Sequence, residues 1–155
     1  MPLAITTYQW LLAGHILCAV IWVGGALTTQ LYAMRAQAAG PARIAEFSGD
    51  VAWLGPRLFI PSSLLLVIFG FLLIREGHWD YQTWVVVALV VWAASFVTGA
   101  AFLGPESERV NKDSEEHGPE SDLVQRRLAR LFLVSRIELV FLILIVLDMT
   151  LKPGA

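Results

Sequence analysis

Charge is what this sequence lacks. Only 15% of its 155 residues are charged, against about 25% in an ordinary soluble domain. The shortage is also concentrated: no Asp, Glu, Lys or Arg occurs between Met1 and Met34, between Leu58 and Ile74, or between Tyr81 and Pro105. Such runs exclude a water-soluble domain, because crossing the hydrocarbon layer takes about 20 apolar residues and these runs meet or approach that length. Cysteine is reduced to Cys18, so no intramolecular disulfide can form. No basic cluster is present, which argues against nucleic acid as a partner. Lysine occurs only at positions 112 and 152, and histidine only at 15, 78 and 117.

What is present is apolar and helical in pattern. A fourth segment, Leu131 to Leu151, is long enough to span but carries Arg136, Glu138 and Asp148. The expected fold is all-α, an integral membrane bundle of four transmembrane helices forming one domain over residues 1–155. Spans are expected at about 6–31, 57–74, 81–104 and 129–151, with long loops at about 34–56 and 105–128. AQAAG at 36–40 resembles a signal-peptide cleavage site. However, no Lys or Arg precedes the first run, and the run is too long for a signal core, so it is expected to be retained. Within the first loop, Ile44, Phe47, Val51 and Leu54 recur on one helical face. This predicts a short amphipathic helix lying in the membrane interface between spans one and two, ended by Gly55-Pro56. Gly104-Pro105 is expected to stop span three.

Lys and Arg set the expected orientation. The two long loops and their flanks hold Arg35, Arg43, Arg57, Arg109, Lys112, Arg126, Arg127 and Arg130, whereas the other side holds Arg75 and Lys152. By the positive-inside rule the long loops face the cytoplasm, and both termini lie on the periplasmic side of a bacterial inner membrane. Tyr8, Trp10, Trp79, Tyr81 and Trp84 would then mark the outer aromatic belt.

Few residues in the spans can carry chemistry. Leu11, His15, Cys18, Ala19, Trp22, Ala26 and Thr29 share one helical face, and several are small enough to admit a neighbouring helix or a flat cofactor. His15 lies roughly 10 Å below Tyr8 at 1.5 Å per residue. One reading makes it a haem ligand with Trp22 lining the site; the other makes it a donor to a backbone carbonyl of a neighbouring helix. Copper is poorly served: Cys18 is one turn from His15, but Met34 is about 24 Å further along the axis. Glu138 is the deep charge of the last span. It points away from Arg136 and is expected to be protonated or to pair with Arg57 of span two; a proton or substrate role is the alternative. Arg136 can snorkel to the interface, and Asp148 is expected to pair with Lys152 four residues on.

His15, Trp22, Gly24 and Gly25, read as H-x6-W-x-G-G, together with Pro56-Arg57, the FLGP of 102–105 and the Met149 to Pro153 ending, resemble a family of small bacterial four-helix proteins described as predicted integral membrane proteins. In layout the chain is also similar to the CopD-like domain and to HemJ-type protoporphyrinogen oxidase. The resemblance implies a haem- or metal-linked membrane role, with His15 matching the first-span histidine ligand of the HemJ type. Haem b would then be held by His15, with Trp22 beside it and Arg57 or Arg136 on its propionates. The membrane lysine of that type has no counterpart here. Two other roles fit the residues: a non-catalytic accessory or assembly subunit, and a small transporter using Glu138. Partners are expected to be the lipid bilayer and a homodimer or larger membrane complex. The residues name no reaction.

Overall fold

The computed structural model describes residues 6–153. These build four helical rods. The first is α1, Thr7–Ala39. The second joins α2, Pro41–Leu54, to α3, Ile60–Glu76, through a π turn at Gly55–Phe59. The third joins α4, Thr83–Thr98, to α5, Gly104–His117, through a π turn at Gly99–Leu103. The fourth is α6, Asp122–Leu151. The first three rods, Thr7–Ala39, Pro41–Glu76 and Thr83–His117, are long and apolar enough to cross a membrane.

Local signals account for the ends. Thr6 and Gln9 form a reciprocal capping box, with the Gln9 amide donating to Thr6 Oγ1 and the Thr6 amide donating to Gln9 Oε1. Gly40 has φ +112, a conformation that side chains resist, and Pro41 follows at the first helical position. Gly118, at φ +83, ends α5 in the same way.

The expected breaks at Gly55-Pro56 and Gly104-Pro105 are corrected: the helix runs through both. In each case the turn widens instead. The Ile60 amide bonds the Gly55 carbonyl and the Gly104 amide bonds the Gly99 carbonyl, each five residues back, and a proline follows immediately, Pro61 or Pro105. A proline ring clashes with the carbonyl four residues earlier and offers no amide of its own. A π turn relieves both problems without ending the rod. The supposed interfacial helix is therefore the upper part of a rod of 36 residues. It packs on α5 and α1. The segment expected as a loop at 105–128 is largely α5 and the start of α6.

A rod of 33 residues is about 50 Å long against a hydrocarbon layer of about 30 Å. The excess lies at the end that carries α2, α5 and the start of α6, where every ion pair of the described residues is found. The core is accordingly split. One cluster at the charged end gathers Ala33, Ala36, Ile44, Val110, Val124, Leu128, Leu131 and Phe132. A second, deeper in the apolar part, gathers Cys18, Trp22, Leu66 and Leu142, with Phe59, Phe69 and Trp92 against it. α1 pairs with α3, and α4 with α6, while α3 and α4 touch little.

Candidate functional site

The two core clusters do not meet over the whole section of the molecule. Between them lies a cavity of about 350 Å³, lined from all four rods and from both π turns. Gly55 and Phe59 of the first turn face Gly99, Ala100 and Leu103 of the second across it. An added Cβ on Gly55 or Gly99 would meet nothing within 4 Å, so these glycines leave space unfilled rather than permit a close contact. Pro56 and Ala100, which line it from the second and third rods, are exposed.

Its lining is mostly apolar, with aromatic rings and a polar minority. Trp22, Phe47, Phe59, Phe96 and Phe132 supply rings, and Thr29, Ser63, Ser95, Ser107 and Ser135 supply hydroxyls. Several hydroxyls are already committed to their own helices: Thr29 donates to the Gly25 carbonyl, Ser63 to Ile60 and Ser135 to Phe132. Two polar atoms are not. Glu138 Oε2 and Ser107 Oγ are buried without a hydrogen-bond partner among the described residues. A buried polar atom left unpaired costs about 1–3 kcal/mol, so two of them beside one cavity are an unmet hydrogen-bonding demand at its wall.

The sequence-derived site residues divide sharply. Trp22 is buried and lines the cavity, and Glu138 lines it from α6. His15 sits in the seam between α1 and α3. Its Nδ1 donates to the Leu66 carbonyl at 2.9 Å, and its ring lies over Gly70. Of the two readings of His15, this contact is that of a backbone donor. Trp92 makes the matching contact from α4, donating from Nε1 to the Ser63 carbonyl at 3.0 Å. α3 is thus gripped at carbonyls three residues apart, from opposite neighbours. Arg57 does not reach Glu138. It is exposed, stacks 4.5 Å from the Trp53 ring centroid and donates to the Trp53 carbonyl, one turn back on its own rod. Arg136 is exposed as well. Asp148 does not pair with Lys152, whose ammonium lies over the rings of Trp79 and Trp84. Gly25 admits Phe59 closely, whereas Gly24 faces open space.

Haem b therefore does not find its four expected residues around one volume. His15 is in a helix seam, Trp22 is in the cavity, and Arg57 and Arg136 point outward. No group of three or more His, Cys, Asp or Glu among the described residues is placed to hold a metal ion.

Above the cavity, ion pairs fasten α5 to α6. Glu106 is buried and accepts from Arg127 at 2.8 Å and Arg109 at 3.3 Å. Arg127 also meets Asp113 at 2.6 Å. The Glu106 hydrogen bond, with the charges of Glu106 and Asp113, raises the Arg127 guanidinium above its ordinary pKa. Ser107 and Glu108 of this region form the charged-end wall of the cavity.

Long apolar rods with a polar extension at one end and an internal cavity define an integral membrane protein of helical type. Residues 9–153 match the family model described as Predicted integral membrane protein (DUF2269), and the chain belongs to that family. No curated protein and no solved structure matches it significantly. The cavity's serines and glycines escaped the sequence reading, although one signal was available: Gly55 and Gly99 each stand six residues before a proline.

Proposed function

We propose that the chain is a four-span protein of the bacterial inner membrane, both termini periplasmic, that binds a small, mostly apolar molecule in the cavity between its core clusters. In this reading α6 is the fourth span, supported by its packing on α4 and, to a lesser extent, on α1. The Lys and Arg bias toward the α2–α5 end supports the orientation. One observation carries the binding role: two unpartnered polar atoms, Glu138 Oε2 and Ser107 Oγ, border a space of about 350 Å³ walled by aromatic rings. Ligand sites have this character, apolar walls with a few convergent polar groups, and sizes of about 300–1,000 Å³.

The test is chemical. Protein purified from its own membranes in mild detergent is extracted with organic solvent, and the extract is compared by mass spectrometry with that of Gly99→Leu. An added Cβ at Gly99 meets nothing within 4 Å, so the leucine side chain starts into free space beside the cavity. A species present at near-stoichiometric amount in the first and absent from the second is expected. Identical extracts from the two proteins would remove the proposal.

A second reading keeps haem b, shared between two copies. Its support is the His15 ring: with Nδ1 engaged by the Leu66 carbonyl, Nε2 is left for iron, the arrangement in which ligating imidazoles are commonly held. Protein expressed with haem supply should then show a Soret band that His15→Ala loses. A colourless wild-type protein eliminates this reading.

A further inference from the structure

We infer that the molecule taken up by the cavity is a lipophilic organic cation, an amine or onium centre on an apolar body. This rests on the cavity being a binding site and adds the class of ligand.

Charge comes first. Two carboxylates line the space, Glu108 and Glu138, and no Lys, Arg or His among the described residues lines it. Glu108 is already neutralised by Lys112 at 2.8 Å on the exposed side. Glu138 has no ion-pair partner among the described residues; the cation nearest in sequence, Arg136, is exposed and on the other side of the helix. Arg57, the cation that might have reached in from another rod, is held on Trp53. An acidic group in a membrane-embedded cavity without its own counter-charge is costly, and such groups ordinarily mark a path or site for a cation.

The walls agree with this. Five aromatic residues are among those lining the space, and an aromatic ring attracts a desolvated cation while accepting an apolar body. An anionic guest would meet Glu138 with nothing to balance it. A neutral apolar guest would leave the Glu138 oxygen unpaired. Pro56 and Ala100, in the two π turns that line the space, are exposed, so the cavity wall there is one residue thick.

Tetraphenylphosphonium and tetraphenylborate have the same shape and opposite charge, and they separate charge from greasiness. Radiolabelled forms are titrated onto the full chain in phosphatidylcholine nanodiscs, with empty discs subtracted. Phenyltrimethylammonium serves as a smaller cation. Saturable cation binding is expected, with the borate weaker by about tenfold or more, a difference of about 1.4 kcal/mol. Glu138→Gln should weaken cation binding by about tenfold, while Glu138→Asp, which keeps the charge, stays within about threefold of wild type. Gly99→Leu should remove binding. Equal affinity for both ions, an unchanged affinity in Glu138→Gln, or no saturable binding of either cation overturns the inference. The two levels fail differently: if both ions bind alike and Gly99→Leu removes both, cation selectivity falls and the binding cavity stands. If neither ion binds and the solvent extracts are also identical, the cavity reading falls with it.

Discussion

Replacing Arg127 with methionine tests whether the charged end is held by one buried ionic knot. The Glu106 side chain is 7% exposed and has two partners. Arg109 is the weaker, at 3.3 Å from a side chain 62% exposed; Arg127 is the stronger, at 2.8 Å and 29% exposed. Removing one partner of a buried pair costs about 3–5 kcal/mol, mostly because a charge is left uncompensated. Arg109 remains and water reaches part of the site, so the lower end, about 3 kcal/mol, is expected. For a chain of this length that is a fall in Tm of about 6–12 °C. The assay is thermal unfolding in one detergent, followed by intrinsic fluorescence. The decisive comparison is Arg127→Met with Glu106→Gln added, which removes the more buried of the two stranded charges, Asp113 being the more exposed one left, and should recover at least half of the loss. A single variant within about 1 kcal/mol of wild type, or a double variant no better than the single, refutes the reasoning.

Other outcomes follow from individual contacts. Trp92→Phe keeps the ring packing but leaves the Ser63 carbonyl without the Nε1 donor, so a loss of about 1 kcal/mol is expected in the same assay. Gly24→Ala should stabilise by up to about 1 kcal/mol through helix propensity, because its Cβ meets nothing. Gly25→Ala should not, since its Cβ would stand 3.0 Å from Phe59; equal shifts in the two variants would contradict this packing. The Glu108–Lys112 pair is fully exposed and gives a pH signature rather than a large stability term. Its hydrogen bond and charge interaction lower the Glu108 carboxyl from the ordinary 4.5 and raise the Lys112 ammonium from 10.5. The stabilisation from the carboxyl is present above 4.5 and lost as pH falls through its lowered value; that from the ammonium is present below 10.5 and lost as pH rises through its raised value. Carbon-detected NMR titration of Glu108 should show an upward move in Lys112→Ala, and no move would show that the pair does not form.

Hydropathy made the apolar runs legible because the bilayer acts on average composition, and averages survive without an alignment. Contacts of single long side chains are a different matter. Arg57 was expected on Glu138 because both sit near the same depth. A guanidinium has enough reach to choose among several partners, and the face of Trp53, four residues back on the same rod, was available without any tertiary rearrangement. Glu138 is legible as an anomaly, since an acidic residue within an apolar run stands out in any sequence. What it faces could not be read there, because the cavity is made by residues from four rods. The ionic knot was hidden for a similar reason: Glu106 and Arg127 are 21 residues apart, and a polar stretch such as ESERVNKDSEEH has the composition of a solvated loop. Its helicity comes from packing Val110 and Ser107 into α2 and α6, and those contacts exist only once the rods are assembled.

Proline misled for a reason that also bears on the site. Gly-Pro at 55–56 and 104–105 reads as a stop because a proline inside a helix removes a donor and strikes a carbonyl. Both penalties are local, and a widened turn removes them at the cost of one residue of register for the proline that directly follows it, Pro61 or Pro105, while Pro56 lies within the first turn itself. In both rods the turn opens at a glycine six residues before a proline, Gly55 before Pro61 and Gly99 before Pro105. The glycine at each turn leaves open space where a Cβ would stand, and both turns line the cavity. The cavity is thus a consequence of helix continuity: had the rods stopped at these prolines, α2 and α5 could have tilted away, and the space beside Glu138 would have been open to lipid or closed by collapse. Filling it from one side with Gly99→Leu and leaving the prolines in place separates the two effects, since the rods should keep their helical content by circular dichroism while the volume beside Glu138 is lost.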